Sequence, residues 1–169
     1  MRLLSKISDI LDYAASTVAG IITVVLTTIT LAGVIYRFVL DNPIVWVYEF
    51  TVVCFAWMIF LGMSMAFKRK EQISLTFLSD ALPEGARIWL SRVILLVILV
   101  FLVISTKEGL AVSKSTWYQV YNTVPISKGL FYASLPVSAV ISFVHILVEF
   151  LETFTGSEKK ETVQSGVEV

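Results

Sequence analysis

Residues 13–36 read YAASTVAGIITVVLTTITLAGVIY, 24 residues without a formal charge. A helix needs roughly 20 such residues to cross about 30 Å of hydrocarbon, so this stretch can span a bilayer. A cleaved signal peptide has an apolar core of only about 7–15 residues; this one is longer and reads as a retained span. Working outward, residues 50–67 supply 18 more positions free of Asp, Glu, Lys and Arg, and residues 129–148 supply 20. Residues 93–106 supply only 14, but Arg92 and Lys107 flank them. Those long side chains can bury their stems and hold their charges in the interfaces. The expectation is an all-α integral membrane protein with four transmembrane helices, at about 13–36, 44–67, 87–112 and 129–149. Together they make one membrane domain over residues 1–152, followed by a disordered polar tail over 153–169.

Composition agrees. The 169 residues are 57% hydrophobic and 15% charged, whereas soluble domains carry about 25% charged residues. Zero net charge leaves no basic face to neutralise phosphates, which argues against nucleic acid as a partner. The single cysteine, Cys54, lies in an apolar run and offers neither a disulfide framework nor a cysteine metal site. The sequence holds no phosphate-cradling glycine loop, no HExxH and no nucleophile elbow. An enzyme, a bound cofactor and a metal centre are therefore not expected in this chain.

Orientation follows from lysine and arginine in the loops. One side collects Arg2, Lys6, Lys68, Arg69, Lys70, Arg87, Arg92, Lys159 and Lys160, nine in all; the other has Arg37, Lys107, Lys114 and Lys128, four. Nine against four places both termini in the cytoplasm. Between spans two and three, Ile73, Phe77, Leu78, Ala81 and Leu82 form an apolar face beside Gln72, Ser79 and Asp80, the pattern of a short helix lying along the interface. Pro83 suits the first position of the next helix, which can project its end near Lys107–Lys114 beyond the bilayer. Trp46, Tyr48, Trp89 and Trp117 stand at span ends as interfacial anchors.

Small residues mark packing faces. Gly20, Thr23, Thr27 and Thr30 recur at intervals of three and four, with Ser16 above them and Ala15 and Ala19 beside them; Gly62 and Ala66 form a small-xxx-small pair. Such faces let helices approach closely, either within this chain or against a partner. The single histidine, His145, lies deep in the fourth span with Glu149 one turn later. A proton relay is one reading; a neutral histidine bonded to a neighbouring helix near the cytoplasmic boundary is the plainer one. No charge lies at the centre of the first three spans, and Pro136 is the only proline well inside any span. A stand-alone carrier of a polar solute needs midplane polar groups or broken helices, so this chain is not expected to carry one unaided.

Residues 36–50, YRFVLDNPIVWVYEF, join the first two spans. Asn42 and Pro43 read as an N-cap and first helical position, which would put Glu49 six residues into the helix, about 9 Å along its axis. The expectation is a partly buried ion pair between Arg37 and Glu49, within this hairpin or shared with another subunit. The plainer alternative sends each charge separately to the interface.

From Arg37 through Leu75 the sequence resembles the small membrane subunit of tripartite ATP-independent periplasmic (TRAP) transporters. The resemblance rests on Arg37-Phe38 after the first span, Pro43, Trp46 and Glu49 opening the second, Gly62 and Ala66 within it, and the basic turn KRKEQIS. Gln72 stands where that family often has histidine, and Glu49 where it often has two acids. Near the last span TVPISKGLFYASLPVS, with Tyr132 and Pro136, is also similar. The resemblance implies a scaffold role beside a large multi-span permease subunit that binds sodium and substrate. It further implies a periplasmic substrate-binding protein that delivers an organic acid such as sialic acid or a C4-dicarboxylate. It makes Lys107, Glu108 and Lys114 candidate contacts for that binding protein, and implies a bacterial inner-membrane location. The rivals are a self-sufficient small four-helix exporter, whose class carries a glutamate in the first span that is missing here, and a membrane assembly factor or receptor.

Overall fold

The computed structural model describes residues 2–69 and 84–155. The interfacial helix expected between spans two and three lies outside the described residues, as does the tail beyond residue 155. Four helices follow in order: α1 (Arg2–Phe38), α2 (Trp46–Lys68), α3 (Glu84–Ser115) and α4 (Lys128–Thr155). Each contains a segment long and apolar enough to cross a membrane, and the molecule is an all-α integral membrane protein. Among the boundaries that differ from expectation, three have a local cause. Helix α1 begins well before residue 13, because Ser8, Asp9 and Asp12 find partners or burial against other helices rather than ending the helix. At 1.5 Å per residue it is about 55 Å long, well over the hydrocarbon thickness. Helix α4 continues to Thr155, so residues 153–155 are helical and not tail; Thr153 donates back to the Glu149 carbonyl at 3.1 Å.

Helix α2 starts at Trp46, not at Pro43, with Val45 as N-cap and no side-chain cap. The reason lies in how α1 ends. The Asn42 N–H bonds to the Tyr36 carbonyl at 3.1 Å, and Asp41 adopts a left-handed φ of 49°. With the six-to-one bond from Leu40 N–H to Ile35 O at 3.3 Å, this wider closure ends α1 through a left-handed residue, the place near a helix C-terminus where glycine is usual. The chain is therefore still closing α1 at Asn42, and α2 begins four residues later without a side-chain cap. Because a non-glycine residue at positive φ is strained, Asp41→Gly is expected to raise stability by up to about 1 kcal/mol, read from the thermal midpoint in detergent.

The helices form an open layer rather than a closed bundle. Among the described residues α4 packs against all three others, α1 packs on α2 and α4, and α3 touches α4 alone. The α3–α4 core is Leu95 and Leu102 against Ala139 and Ile146, flanked by Ile98, Leu99 and Phe143. Leu95, Leu102 and Gly109 recur every seven residues, the period of a straight helix–helix seam. Gly109 ends that seam for a steric reason: a Cβ there would lie 2.9 Å from Pro136 Cδ. The α1–α2 core is Ala15 and Ala19 against Leu61, with Ile22, Trp57, Met65 and Ile141 around it. Large apolar side chains such as Ile21, Val24, Leu96, Val97 and Phe101 remain outside. Hydrocarbon solvates them as well as a protein core would, so their exposure is no penalty in a bilayer.

Candidate functional site

At one end of the layer the chain between α3 and α4 folds into a tight loop. Val120 and Ser127 form an isolated antiparallel bridge, supported by Tyr121 N–H to Ile126 O at 3.1 Å and Lys128 N–H to Gln119 O at 2.7 Å. The tip, residues 122–124, turns successive backbone N–H groups the same way, and Pro125, which has none, ends the run. Glu49, in the first turn of α2, receives them. Its Oε1 accepts from Asn122 N–H at 3.1 Å; its Oε2 accepts from Thr123 N–H at 2.8 Å, Val124 N–H at 3.2 Å and the Thr123 hydroxyl. Bonds to an ionised acceptor are about twice as strong as neutral ones, and a carboxylate also suits the positive end of α2. Burial holds the Tyr121 phenol above its ordinary pKa, with Tyr132 and Glu49 adding to the shift.

This geometry corrects the expected Arg37–Glu49 pair within the chain. Among the described residues no ion pair joins them: the carboxylate is occupied by the loop, and the Arg37 guanidinium lies 5.6 Å from the centroid of the Phe38 ring. Glu49 is also less deep than expected, in the first turn of α2 rather than beyond it. Sequence spacing within one hairpin could not reveal a partner 73 residues away.

Along the middle of the layer, polar side chains tie α4 to its neighbours. Trp57 Nε1–H donates to Leu130 O at 3.0 Å, Ser138 Oγ–H donates to Phe60 O, and Ser113 Oγ–H donates to Gly129 O at 2.9 Å. A Cβ at Gly129 would lie 2.8 Å from both Ser113 O and Trp117 Cα. Gly129→Ala is therefore expected to loosen the start of α4, lowering protease resistance of the 116–127 loop. At the far end Lys68 Nζ–H donates to Ser8 Oγ at 2.8 Å and pairs with Asp9 Oδ1 at 2.7 Å, while Ser8 Oγ lies 2.7 Å from His145 Nδ1. The neighbouring-helix bond expected for His145 is made, to Ser8 on α1. The serines of α4 went unremarked in the sequence, although Ser134, Ser138 and Ser142 recur every four residues, in line with His145.

The glycine readings divide. A Cβ at Gly20 or Gly62 would meet nothing within 4 Å, so neither glycine is a close-approach point inside this chain. The close approaches are instead at Gly109, Gly129 and Gly33, whose Cβ would lie 2.9 Å from Val47 Cγ1. On α1 the buried residues are Ser8, Ala15 and Ala19. Thr23 and Thr27 donate to carbonyls four residues back, Ala19 O and Thr23 O, both at 2.8 Å, and Thr30 is exposed. Ala66 is half-buried. Trp46, Tyr48 and Trp117 are exposed at the Glu49 end and Trp89 at the opposite end; Trp46 meets Phe50 edge-on at 6.1 Å. Lys107, Glu108 and Lys114 are exposed on the last turns of α3.

Comparison with known proteins gives this architecture a family. Residues 26–156 match the DctQ component of the tripartite ATP-independent periplasmic transporters. A Haemophilus influenzae protein described as a TRAP transporter small permease protein is 24% identical over 155 residues, covering 92% of this chain and 94% of that one. The sialic acid TRAP transporter small permease protein SiaQ of Vibrio cholerae is 31% identical over 104 residues, 62% of this chain and 60% of its own. The sialic acid TRAP transporter permease protein SiaT of H. influenzae is 24% identical over 122 residues, which are 72% of this chain but only 20% of that longer one. A layer of four membrane-crossing helices and a match across most of its length make this chain a member of the DctQ family of TRAP transporter small permease components, a transporter subunit and not an enzyme.

Proposed function

We propose that the chain is a fixed scaffold that packs against a large, sodium-coupled permease subunit in a bacterial inner membrane. On this reading both termini are cytoplasmic, the Glu49 end faces the periplasm, and the complex takes up an organic acid of the sialic acid or C4-dicarboxylate class. Sodium and substrate bind the large subunit and not this chain. The observation that carries the reading is the exposed small-residue stripe of α1: Gly20, Thr27 and Thr30 face outward, and nothing in the chain approaches Gly20. Small residues facing outward on a membrane helix suit close approach by another helix. The match to one-fifth of a longer sialic acid permease chain supports a role beside a larger body. The names of the relatives support the substrate class.

The expected result with Gly20→Leu is unchanged thermal stability of the isolated chain but loss of co-purification with the large subunit. Retained co-purification would exclude this stripe as the contact. In vesicles, the chain alone is expected to accumulate no organic acid, while the chain with large subunit, binding protein and a sodium gradient accumulates it. Uptake by the chain alone would overturn the scaffold reading in favour of a self-sufficient carrier. Lys107, Glu108 and Lys114, exposed on the periplasmic end of α3, are proposed contacts for the binding protein. Lys114→Glu is then expected to reduce uptake several-fold by weakening a charge contact while co-purification with the large subunit persists.

A further inference from the structure

Two polar layers cross the junction of α1, α2 and α4 near the Lys68 end. The first is Ser8, Lys68 and His145. An ammonium can only donate, so Ser8 Oγ accepts from Lys68 and its own proton is left for His145 Nδ1. An accepting Nδ1 belongs to the neutral imidazole protonated at Nε2. That Nε2–H is buried without a protein acceptor, in a side chain only 3% exposed.

The second layer lies one helical turn further toward the middle of the spans, on the same three faces. Asp12 follows Ser8 by four residues, Ser64 precedes Lys68 by four, and Ser142 precedes His145 by three; such spacings stack side chains on one face. Ser64 and Ser142 are fully buried, and Asp12 Oδ1, Ser64 Oγ and Ser142 Oγ all lack a protein partner. Asp12 and Asp9 on α1 and Lys68 on α2 are the charged groups that act on His145. Three helices thus bring one orphan donor, one orphan carboxylate oxygen and two orphan hydroxyls to the same junction. Apolar cavities stay dry, whereas polar ones offering two to four partners hold water.

We propose that this second layer is a buried water-binding site, in which a water accepts from His145 Nε2–H and donates to Asp12 Oδ1, with Ser64 and Ser142 completing its shell. The water ties α1 to the α2–α4 pair inside the low-dielectric region, where unmet hydrogen-bonding groups are most costly. This assignment is independent of the transporter reading. It also gives the histidine a half-buried acid, with one oxygen buried, as its water-linked neighbour, which the sequence alone had not offered.

The single histidine makes the test direct. The full chain, labelled with 15N-histidine in lipid nanodiscs, is expected to show the neutral Nε2–H form and a cross-peak between that proton and water. Asp12→Leu is expected to abolish the cross-peak while the chain stays folded. A proton on Nδ1 instead of Nε2, an Nε2–H with no water cross-peak, or a cross-peak that survives Asp12→Leu would each overturn the proposal. Should Asp12→Leu fail to fold, the tautomer and water cross-peak of the unmodified chain decide by themselves.

Discussion

Replacing Glu49 by alanine is expected to release the 116–127 loop while leaving the helices in place. Four donors converge on this carboxylate, three of them backbone N–H groups at 2.8–3.2 Å, and alanine leaves all four to find water. Hydrogen exchange at the amides of residues 122–124 should accelerate by about tenfold or more, since bonds to a charged acceptor are each worth enough to slow local opening on that scale. Amides in the middle of α2 and α4 should be unaffected. Glu49→Gln keeps one acceptor oxygen but sets an NH2 group against donors, so it should fall between alanine and the native residue. Arg37→Glu distinguishes the loop clamp from the hairpin ion pair. If it loosens the loop as much as Glu49→Ala does, Arg37 and not the loop governs Glu49. Because the clamp shapes the end of the layer that faces the periplasm on the proposed orientation, uptake by the assembled transporter should fall together with loop protection.

The second large effect is expected at Gly109. Helix α3 touches no described helix but α4, so it has no second contact to fall back on. A Cβ at Gly109 sits 2.9 Å from Pro136 Cδ and 3.4 Å from Leu135 Cδ2, and a proline ring within a helix cannot swing aside. Alanine brings up to about 1 kcal/mol of helix propensity, set against roughly 1–3 kcal/mol of overpacking, so the expected net loss is about 1 kcal/mol. Leucine adds three heavy atoms beyond alanine with nowhere to go and should part the upper half of the α3–α4 seam. The expected readout for Gly109→Leu is a lowered thermal midpoint together with new proteolysis in α3. An unchanged midpoint would mean that the two helices do not meet at Pro136.

How much of this could be read from the residues differs sharply between fold and site. The spans were legible because an apolar run of about 20 residues has few alternatives in a bilayer. The bond from His145 to a neighbouring helix was legible too, because a lone buried polar group in hydrocarbon must find a partner. The partner of Glu49 was not: its donors are backbone N–H groups, which every residue has, and their direction depends on the turn made by residues 122–125. The start of α2 differs because Asn42-Pro43 reads locally as a helix opening, yet the chain is still closing α1 at Asn42 and α2 opens at Trp46. Among the glycines, sequence spacing singled out Gly20 and Gly62, while the tight contacts fall at Gly33, Gly109 and Gly129. Periodicity identifies a face but not what lies across from it.

By itself the sequence determined that this is a membrane protein of four crossings, since hydrophobic length is a property of each segment alone and the bilayer enforces it. Only the tertiary structure decided that the crossings form an open layer centred on α4, that Glu49 clamps a distant loop, and that Ser8, Lys68 and His145 meet. Those facts depend on which faces of different helices come together, and with lipid as good a solvent as another apolar side chain, hydrophobicity leaves that choice to close packing and a few directed hydrogen bonds.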